Sequence, residues 1–166
     1  MIEIKKVSTV EDYKIVQHIA AETWPVTYGS ILSKEQIDYM FGKMYAIEAL
    51  EEQGTLKGHH FILAQEDTHF LGFASYELDY QNAGKTKIHK AYILPSAQGK
   101  GIGRILFSEI EAIAKQNNNN IISLNVNRFN SAINFYDKIG FIKVAEEDIE
   151  IGNGYLMEDF VLEKEI

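Results

Sequence analysis

Cysteine is absent from all 166 positions of the sequence, and this absence excludes several kinds of site. Without cysteine the chain forms no disulfide, offers zinc no thiolate ligand and has no cysteine nucleophile. Nothing else in the composition requires an oxidising compartment. The sequence therefore predicts a cytoplasmic protein.

Proline and long apolar runs are also scarce. The two prolines, Pro25 and Pro95, stand far apart, and no stretch rich in serine, glycine and proline divides the chain. No run reaches the roughly 20 apolar residues of a membrane-spanning helix, and the first residues lack the apolar segment of a signal peptide. We therefore expect one domain over residues 1–166 and no membrane partner.

The chain has fewer basic than acidic residues. The chain has 16 lysines and arginines against 24 aspartates and glutamates, which gives a formal net charge of −8. A surface of this sign repels the phosphate backbone that supplies most nonspecific nucleic-acid affinity. The charge argues against a nucleic-acid partner and is compatible with a cationic small molecule.

Two capping patterns mark the helices of the N-terminal half. The opening "IEIKKV" alternates as a half-buried strand, and Ser8 with Glu11 has the spacing of a capping box for the helix that follows. Ser33 with Gln36 repeats this spacing before a second helix. We expect the first helix to end near residue 22 and the second to stop at Gly54.

The pattern of the remaining chain mainly predicts strands. "HFILAQ" and "FLGFASYEL" are separated by the short polar "EDTH" and predict a hairpin, and "KIHKAYIL" and "IISLNV" predict two further strands. The last segment has Asn153-Gly154 between two β-like runs, which suits a tight hairpin turn. The predicted order β-α-α-β-β-β-α-β-α-β-β describes an α/β (α+β) fold, a mixed sheet with helices on both faces.

Three glycines lie where the third of these middle strands turns into a helix. "QGKGIG" occupies residues 98–103, and the apolar face of the following helix comprises Ile102, Leu106, Ile110 and Ile113. A helix N-terminus has unpaired N–H groups and partial positive charge, and glycine lets a phosphate approach them closely. The loop is therefore a candidate diphosphate site, although a tight turn alone would also explain the glycines.

The spacing of the glycines argues against the common nucleotide-binding loops. A dinucleotide fingerprint needs G-x-G-x-x-G, but the pattern from Gly99 is G-x-G-x-G with Arg104 in the last place. The G-x-x-x-x-G-K-[ST] pattern of a P-loop is absent as well. NAD, ATP and GTP are thus disfavoured together.

Two motifs together resemble a known superfamily. The "QGKGIG" loop at residues 98–103 resembles the pyrophosphate loop of the Gcn5-related N-acetyltransferases (GNAT superfamily). The downstream "NSAINFY" at residues 130–136 resembles their asparagine-led element that ends in Phe-Tyr. The order of elements is similar to the GNAT order over essentially the whole chain, and "ETWPVTYGSILSKEQIDYMF" more loosely resembles the PaiA-like polyamine acetyltransferase branch.

The resemblance implies a fold and an acyl donor. The fold is a mostly antiparallel central sheet splayed between its fourth and fifth strands, and the donor is acetyl-CoA, with no metal. The loop amides would hold its diphosphate, the strand "AYIL" would pair with its pantetheine arm, and an N–H near Tyr92 or Ile93 would face the thioester carbonyl. The cofactor-binding residues expected on this basis are Tyr92, Ile93, Leu94, Gln98, Gly99, Lys100, Gly101, Ile102, Gly103, Arg104, Asn125, Asn130 and Tyr136.

The resemblance also implies direct attack by the amine in a ternary complex. Tyr136 would protonate the leaving thiolate, although an aromatic residue on a short helix is more often a core residue. For the base that deprotonates the amine, His89 and Glu77 are the candidates, and a water relay could replace both. The other histidines lack the spacing of a metal site and read as surface or core residues: His18, His59, His60 and His69.

The acceptor would be a small primary amine such as a polyamine. The residues expected to select it are Trp24, Tyr28 and Tyr39, with Met40 beside them and with Glu22 and Asp38 as anionic helpers. Acetylation of a protein N-terminus or lysine is the enzymatic alternative, and a non-catalytic CoA-binding module or a generic nucleotide-binding protein are the alternatives of other classes. The sequence leaves a homodimer open.

Overall fold

All seven strands form one twisted sheet in the computed structural model, which describes residues 1–166. The strands follow the order β1-β2-β3-β4-β5-β7-β6, and every neighbouring pair is antiparallel except β4 and β5. This confirms the predicted mixed, mostly antiparallel sheet. The strands are β1 Ile2–Lys6, β2 His60–Glu66, β3 His69–Glu77, β4 Lys85–Ile93, β5 Ile121–Asn127, β6 Ile142–Gly152 and β7 Tyr155–Glu165.

Five α-helices pack against the sheet, one more than the sequence predicts. Three precede β2, one connects β4 to β5, and a short one precedes β6. None is long and apolar enough to cross a membrane. The helices are α1 Val10–Tyr28, α2 Lys34–Tyr45, α3 Ile47–Thr55, α4 Ile102–Gln116 and α5 Ile133–Lys138.

The start and the end of α1 differ from the prediction. Thr9 caps the helix instead of Ser8, because the Thr9 hydroxyl accepts from the Asp12 N–H at 3.2 Å and the Asp12 carboxylate accepts from the Thr9 N–H at 3.2 Å. The helix also runs past residue 22 and through Pro25. A proline removes one internal hydrogen bond, and the burial of Trp24 and Tyr28 on this turn compensates for that loss.

The predicted second helix is two helices. Ser33 caps α2 as expected, since its hydroxyl accepts from the Gln36 N–H at 3.1 Å, but the backbone leaves the helix at Ala46 with ψ of 144°. The break frees the Tyr45 carbonyl, which accepts from the Gln17 side chain at 2.8 Å. Gly54 lies inside α3 and does not stop it; a side chain there would overlap the Tyr13 hydroxyl.

Helices on both faces of the sheet enclose two cores. Alternate residues of β2 face opposite ways, so that Phe61 and Leu63 pack with α1, α2 and α3, whereas Ile62 and Ala64 pack with α4. The two faces are called here the α1 face and the α4 face. This arrangement confirms the predicted layering.

The sheet opens between β4 and β5. The two strands pair only from Lys85 with Ile121 to Ile88 with Leu124, although both continue beyond these residues. The register of β4 against β3 also shifts here, since Tyr76 pairs with Ile88 and Ser75 pairs with Lys90. His89 is therefore the extra residue of a β-bulge, which bends a strand and redirects its side chains. The predicted splay is confirmed.

Candidate active site

The glycine loop exposes an unbroken series of backbone donors at the end of β4. Gly99 and Gly101 have φ of 82° and 77°, and Gly101 is the N-cap of α4. The first hydrogen bond of α4 runs from the Ile105 N–H to the Gly101 carbonyl, so the N–H groups of residues 99–104 have no backbone acceptor. Six successive donors at a helix N-terminus form a binding surface for a phosphate group.

Each loop glycine has a distinct steric role. A Cβ on Gly99 or Gly101 would meet no protein atom within 4 Å, which leaves open space beside the donors. A Cβ on Gly103 would lie 3.1 Å from the Phe135 ring, so this glycine lets α5 pack against α4. Lys100 and Arg104 are exposed and add positive charge at the rim, and Gln98 is exposed as well. The residues present therefore fit a diphosphate.

Beyond the bulge, the edge of β4 has free backbone groups that face the gap, which is the opening between the diverging strands β4 and β5. The Leu94 N–H donates to the Leu71 carbonyl of β3 at 2.9 Å. Because N–H groups point to alternate sides along a strand, those of Ala91 and Ile93 point toward β5, which has already diverged. The geometry thus favours Ile93 over Tyr92 as the donor that faces a bound thioester.

Tyr136 extends from one face of the sheet into the gap. Its ring packs in the α4-face core against Phe107 and Phe141, at centroid distances of 5.7 and 5.8 Å. No protein group hydrogen-bonds its hydroxyl. Burial, together with the proximity of the Tyr28 phenol, raises the pKa of Tyr136, so the group is a protonated donor at neutral pH.

Aromatic side chains of the α1 face meet Tyr136 across the gap. The Tyr28 and Tyr92 hydroxyls lie 2.9 Å apart, and Trp24 stacks at a tilt on Tyr28 with centroids 4.8 Å apart. Burial raises the pKa of both Tyr28 and Tyr92. Tyr28 and Tyr92 therefore line the gap, whereas Trp24 is 1% exposed and supports them from the core.

The other predicted acceptor residues lie further from the gap. The Tyr39 ring packs on Tyr155 of the β6–β7 hairpin at 5.5 Å, and Met40 is buried in the α1-face core. Glu22 pairs with His18 at 3.0 Å and Asp38 with Lys34 at 3.2 Å, both on exposed helix surfaces.

The two candidate bases contact each other. Glu77 of β3 lies 3.0 Å from the His89 Nε2 and 3.6 Å from the His59 Nε2, and the two imidazole rings stack with centroids 3.9 Å apart. Burial is the main cause that lowers the pKa of His89 to about 3 and that of His59 to about 4. An imidazole with so low a pKa is a weak base, which disfavours His89 relative to the sequence prediction.

His59, Glu77 and His89 also have the residue types of a metal site. Their ligand atoms lie within 4.8 Å of one another. However, the rings are nearly parallel, at 11°, and the lone pairs of parallel rings do not converge on one point. We infer no metal ligation from this cluster, and the predicted absence of a metal stays a prediction.

The two predicted cofactor asparagines have partners within the protein. Asn125 accepts from the Lys87 ammonium and donates to Glu147 and Asp159, at 3.0 and 3.3 Å. The Asn130 side chain accepts from the Ala132 N–H at 2.9 Å, so it shapes the turn before α5. The Asn125 amide is thus fully occupied, while the Asn130 amide nitrogen remains free to donate.

Sequence reasoning missed three residues near the gap and the bulge. Lys87 and Asp159 contact Asn125 from β4 and β7, and His59 stacks on His89. An aspartate between Met157 and Val161, on the inward side of β7, is the signal that could have identified Asp159, whereas Lys87 lies on a strand with two other lysines and has no such signal. His59 carries no such signal, because it lies just before β2.

Comparison with known proteins finds a family model and curated relatives that are all acetyltransferases. Residues 30–162 match the model of the acetyltransferase (GNAT) domain. The chain is 32% identical over 162 residues to the spermidine N(1)-acetyltransferase of Thermoplasma acidophilum, covering 95% of this chain and 96% of that protein. It is 27% identical to the uncharacterized N-acetyltransferase YuaI of Bacillus subtilis, over 95% of this chain and 90% of that one.

Solved structures show the same fold. The crystal structure of the PaiA N-acetyltransferase of Thermoplasma acidophilum in complex with coenzyme A superposes with a TM-score of 0.82 at 30% identity, covering 100% of this chain and 99% of that one. A GCN5-related N-acetyltransferase structure from Rhodopseudomonas palustris gives a TM-score of 0.83 at 18% identity, over 99% and 95% of the two chains. The second likeness concerns the fold alone.

Proposed function

This chain belongs to the acetyltransferase (GNAT) domain family, and from that premise we propose that it acetylates a primary amine of a small polyamine. It is an N-acetyltransferase that uses acetyl-CoA as the donor. We further propose that residues 1–166 act as one domain. A cytoplasmic location and a homodimer stay predictions.

The observation that carries the proposal is the position of the donor series beside the open edge of β4. The N–H groups of residues 99–104 are free at one end of this edge, and the Tyr136 hydroxyl lies in the gap next to it. A ligand with a diphosphate at one end and a thioester at the other fits both features. Acetyl-CoA is such a ligand, and it supplies the acyl group for transfer.

The chain's own groups would stabilise the reaction at three points. The loop amides, Lys100 and Arg104 would hold the diphosphate, and the Ile93 N–H would donate to the thioester oxygen as negative charge develops there. Removal of one such donor typically costs on the order of 3 kcal/mol of transition-state stabilisation. Tyr136 would give its proton to the departing sulfur.

The attacking nitrogen must lose a proton in the same reaction. Glu77 and His89 remain proposed bases beside the bulge, and the low pKa of His89 makes Glu77 the better of the two. The Glu77 carboxylate accepts a hydrogen bond at 3.0 Å from the imidazole, which fixes its position on β3. A water molecule could connect this pair to the gap.

The choice of acceptor rests on relatives and on the chemistry of the gap. The curated relative from Thermoplasma acidophilum is a spermidine N(1)-acetyltransferase. Aromatic faces attract ammonium groups, and Tyr28 and Tyr92 bring two phenols to the gap. The edge strand β6 has four acidic residues, Glu146, Glu147, Asp148 and Glu150, of which Glu147 reaches Asn125 at the end of β5. These features support a cationic acceptor with more than one amine.

Labelled acetyl-CoA tests the proposal directly. The protein is incubated with labelled donor and with spermidine, spermine, a monoamine, or peptides with a free N-terminus or lysine. We expect label on the polyamines with the highest kcat/KM. Label on peptides alone would replace the polyamine with a protein acceptor, and saturable CoA binding without transfer to any acceptor would indicate a non-catalytic CoA-binding module.

A further inference from the structure

Asp159 of β7 is a buried carboxylate with one oxygen that has no partner. The residue is 6% exposed, and its Oδ1 has no hydrogen-bond donor. The other oxygen, Oδ2, accepts from the Asn125 amide at 3.3 Å. A buried acceptor without a donor is costly, by about 1 to 3 kcal/mol, and such a group in a native structure calls for an explanation.

The strand register places Asp159 on the α1 face, next to the gap. Met157, two residues earlier on β7, packs in the α1-face core, and alternate residues of a strand share a face. Asp159 pairs with Asn127, which lies beyond the last β5 residue that pairs with β4. Tyr92 lies beyond the last paired residue of β4 and on the same face. Asp159 and Tyr92 are therefore on opposite sides of the gap.

Tyr28 lies near both sides of the gap. Its hydroxyl is hydrogen-bonded to the Tyr92 hydroxyl at 2.9 Å, and the Asp159 carboxylate is close enough to raise the pKa of the Tyr28 phenol. Tyr136 is similarly close to Tyr28. The proposed proton donor and the buried carboxylate thus lie around one space, with Tyr28 between them.

The charged neighbours of Asp159 leave its free oxygen without a cation. The Lys87 ammonium donates to Asn125, and Glu147 shares the same Asn125 amide. Arg128 donates from Nε to the Asp159 backbone carbonyl at 3.4 Å and pairs through its Nη2 with Asp148 at 2.6 Å. No basic side chain reaches Oδ1, so this position is open to a donor from a ligand.

We propose that Asp159, in place of Glu77 and His89, binds the reacting ammonium of the acceptor and removes its proton, a role that rests on the proposed amine acetylation. The Glu77 carboxylate is engaged by the His89 imidazole, whereas Asp159 Oδ1 is free. The proton passes from the nitrogen to Asp159 Oδ1 as the nitrogen lone pair forms the bond to the thioester carbon. The carbon–sulfur bond then breaks, and the sulfur takes the Tyr136 proton. The nitrogen, which still carries two protons, then releases one to the Tyr136 phenolate, which leaves the neutral amide and restores Tyr136. Asp159 returns its proton to solvent, so the net reaction gives the amide, the thiol and one proton.

The environment of Asp159 suits this role. Burial raises its pKa, against the lowering by the Asn125 hydrogen bond and the Lys87 charge, while Glu147 raises it further. A carboxylate with a raised pKa holds a proton more readily, which brings it closer to an alkylammonium. Lys87, Arg128, Glu147 and Tyr28 are the charged or titratable groups that face it.

The pH dependence of Asp159→Asn tests the proposal. With a base in place the protonated amine is a substrate, so we expect wild-type kcat/KM for spermidine to change little between about pH 7 and 9. Without the base only the free amine reacts, so kcat/KM of Asp159→Asn should rise about tenfold per pH unit over this range. At pH 7 the variant should be slower by about 10²-fold or more, with unchanged calorimetric affinity for CoA.

Glu158→Gln is the matched control. Glu158 is the exposed neighbour on β7 and points to the other face, so the variant removes the same charge and should keep the wild-type profile. An Asp159→Asn profile as flat as that of Glu158→Gln would overturn the role of Asp159 and leave the proposed function intact. Wild-type protein that acetylates no amine would overturn the role of Asp159 and the proposed function together. An Asp159→Asn variant that binds CoA normally and has a steep pH profile of kcat/KM would support the proposal, even if its melting temperature fell.

Discussion

At the residue scale, Tyr136 joins the two halves of the proposed site. Its ring belongs to the α4-face core, whereas its hydroxyl is close to two phenols of the α1 face. The sequence motif indicates the residue, but only the opening of the sheet explains how one side chain serves both roles. Packing and chemistry are compatible here because the ring fills the core while the hydroxyl alone enters the gap.

Replacement of Tyr136 by phenylalanine should separate these roles. We expect kcat to fall by about 10²- to 10⁴-fold, the usual contribution of a positioned proton donor, with CoA affinity and melting temperature nearly unchanged. Tyr76→Phe is the control, because Tyr76 is a buried phenol of the α4-face core that is not part of the site. Equal turnover of the two variants at every pH would exclude Tyr136 as the donor.

The stacked histidines predict a pH dependence of stability. Burial lowers the pKa of His59 to about 4 and of His89 to about 3, whereas unfolded histidine titrates near 6.5. Below about pH 6.5 the unfolded chain binds more protons than the folded one, so these residues reduce stability progressively as the pH falls toward 3. Their stabilising contribution is complete only above pH 6.5.

Thermal melts between pH 7.5 and 4.5 measure this effect. We expect the melting temperature of wild-type protein to fall more steeply with acidification than that of the His59→Gln, His89→Gln double variant. A His60→Gln variant, altered at an exposed position, should follow the wild type. Parallel curves for all three proteins would show that the two partly buried imidazoles are not the cause.

At the element scale, the helix after β4 begins where the proposed ligand ends. Gly101 has φ of 77°, and its missing side chain leaves the donor series open. Gly84 has a comparable φ of 65° and open surroundings, but it lies at the other end of β4. The two glycines share the positive φ and the open surroundings, but only Gly101 belongs to the donor series at the start of α4.

Alanine at these two positions should give different results. Both variants should lose about 1 kcal/mol of folding stability from the unfavourable φ. Only Gly101→Ala should also weaken CoA binding, by about tenfold or more, because the new methyl group occupies the space beside the donors. Isothermal titration calorimetry with CoA measures the difference, and similar affinities for both variants would argue against a ligand in the loop.

Local patterns predicted the elements better than their ends. Strand alternation and the spacing of Ile102, Leu106 and Ile110 depend on neighbouring residues only, and the structure confirms them. The break at Ala46 depends on a contact with α1, and Thr9 and Ser8 compete for the same cap, so neither could be resolved from spacing. The bulge at His89 depends on pairing with β3, which leaves no mark in the sequence.

At the scale of the whole molecule, the proposed site is assembled from distant parts of the chain. Tyr28, Tyr92, Tyr136 and Asp159 come from α1, β4, α5 and β7 and meet at the one place where the sheet opens. Motif spacing could indicate the loop and Tyr136 because both lie in short contiguous stretches. It could not indicate Asp159, because the antiparallel return of β7 beside β5 brings that residue to the gap.

The net charge of −8 makes binding of the anionic CoA a stringent test of the proposed diphosphate site. An acidic protein repels CoA at long range, so affinity must come from the local donors of the loop. If the loop holds the diphosphate, the pantetheine arm alone should bind far more weakly than the complete molecule.

Calorimetric titration of the purified protein with CoA, and separately with pantetheine, measures this directly. We expect saturable binding of CoA at one site per chain and an affinity for pantetheine lower by about 100-fold or more. No saturable heat with CoA, or equal affinities for the two compounds, would contradict this expectation.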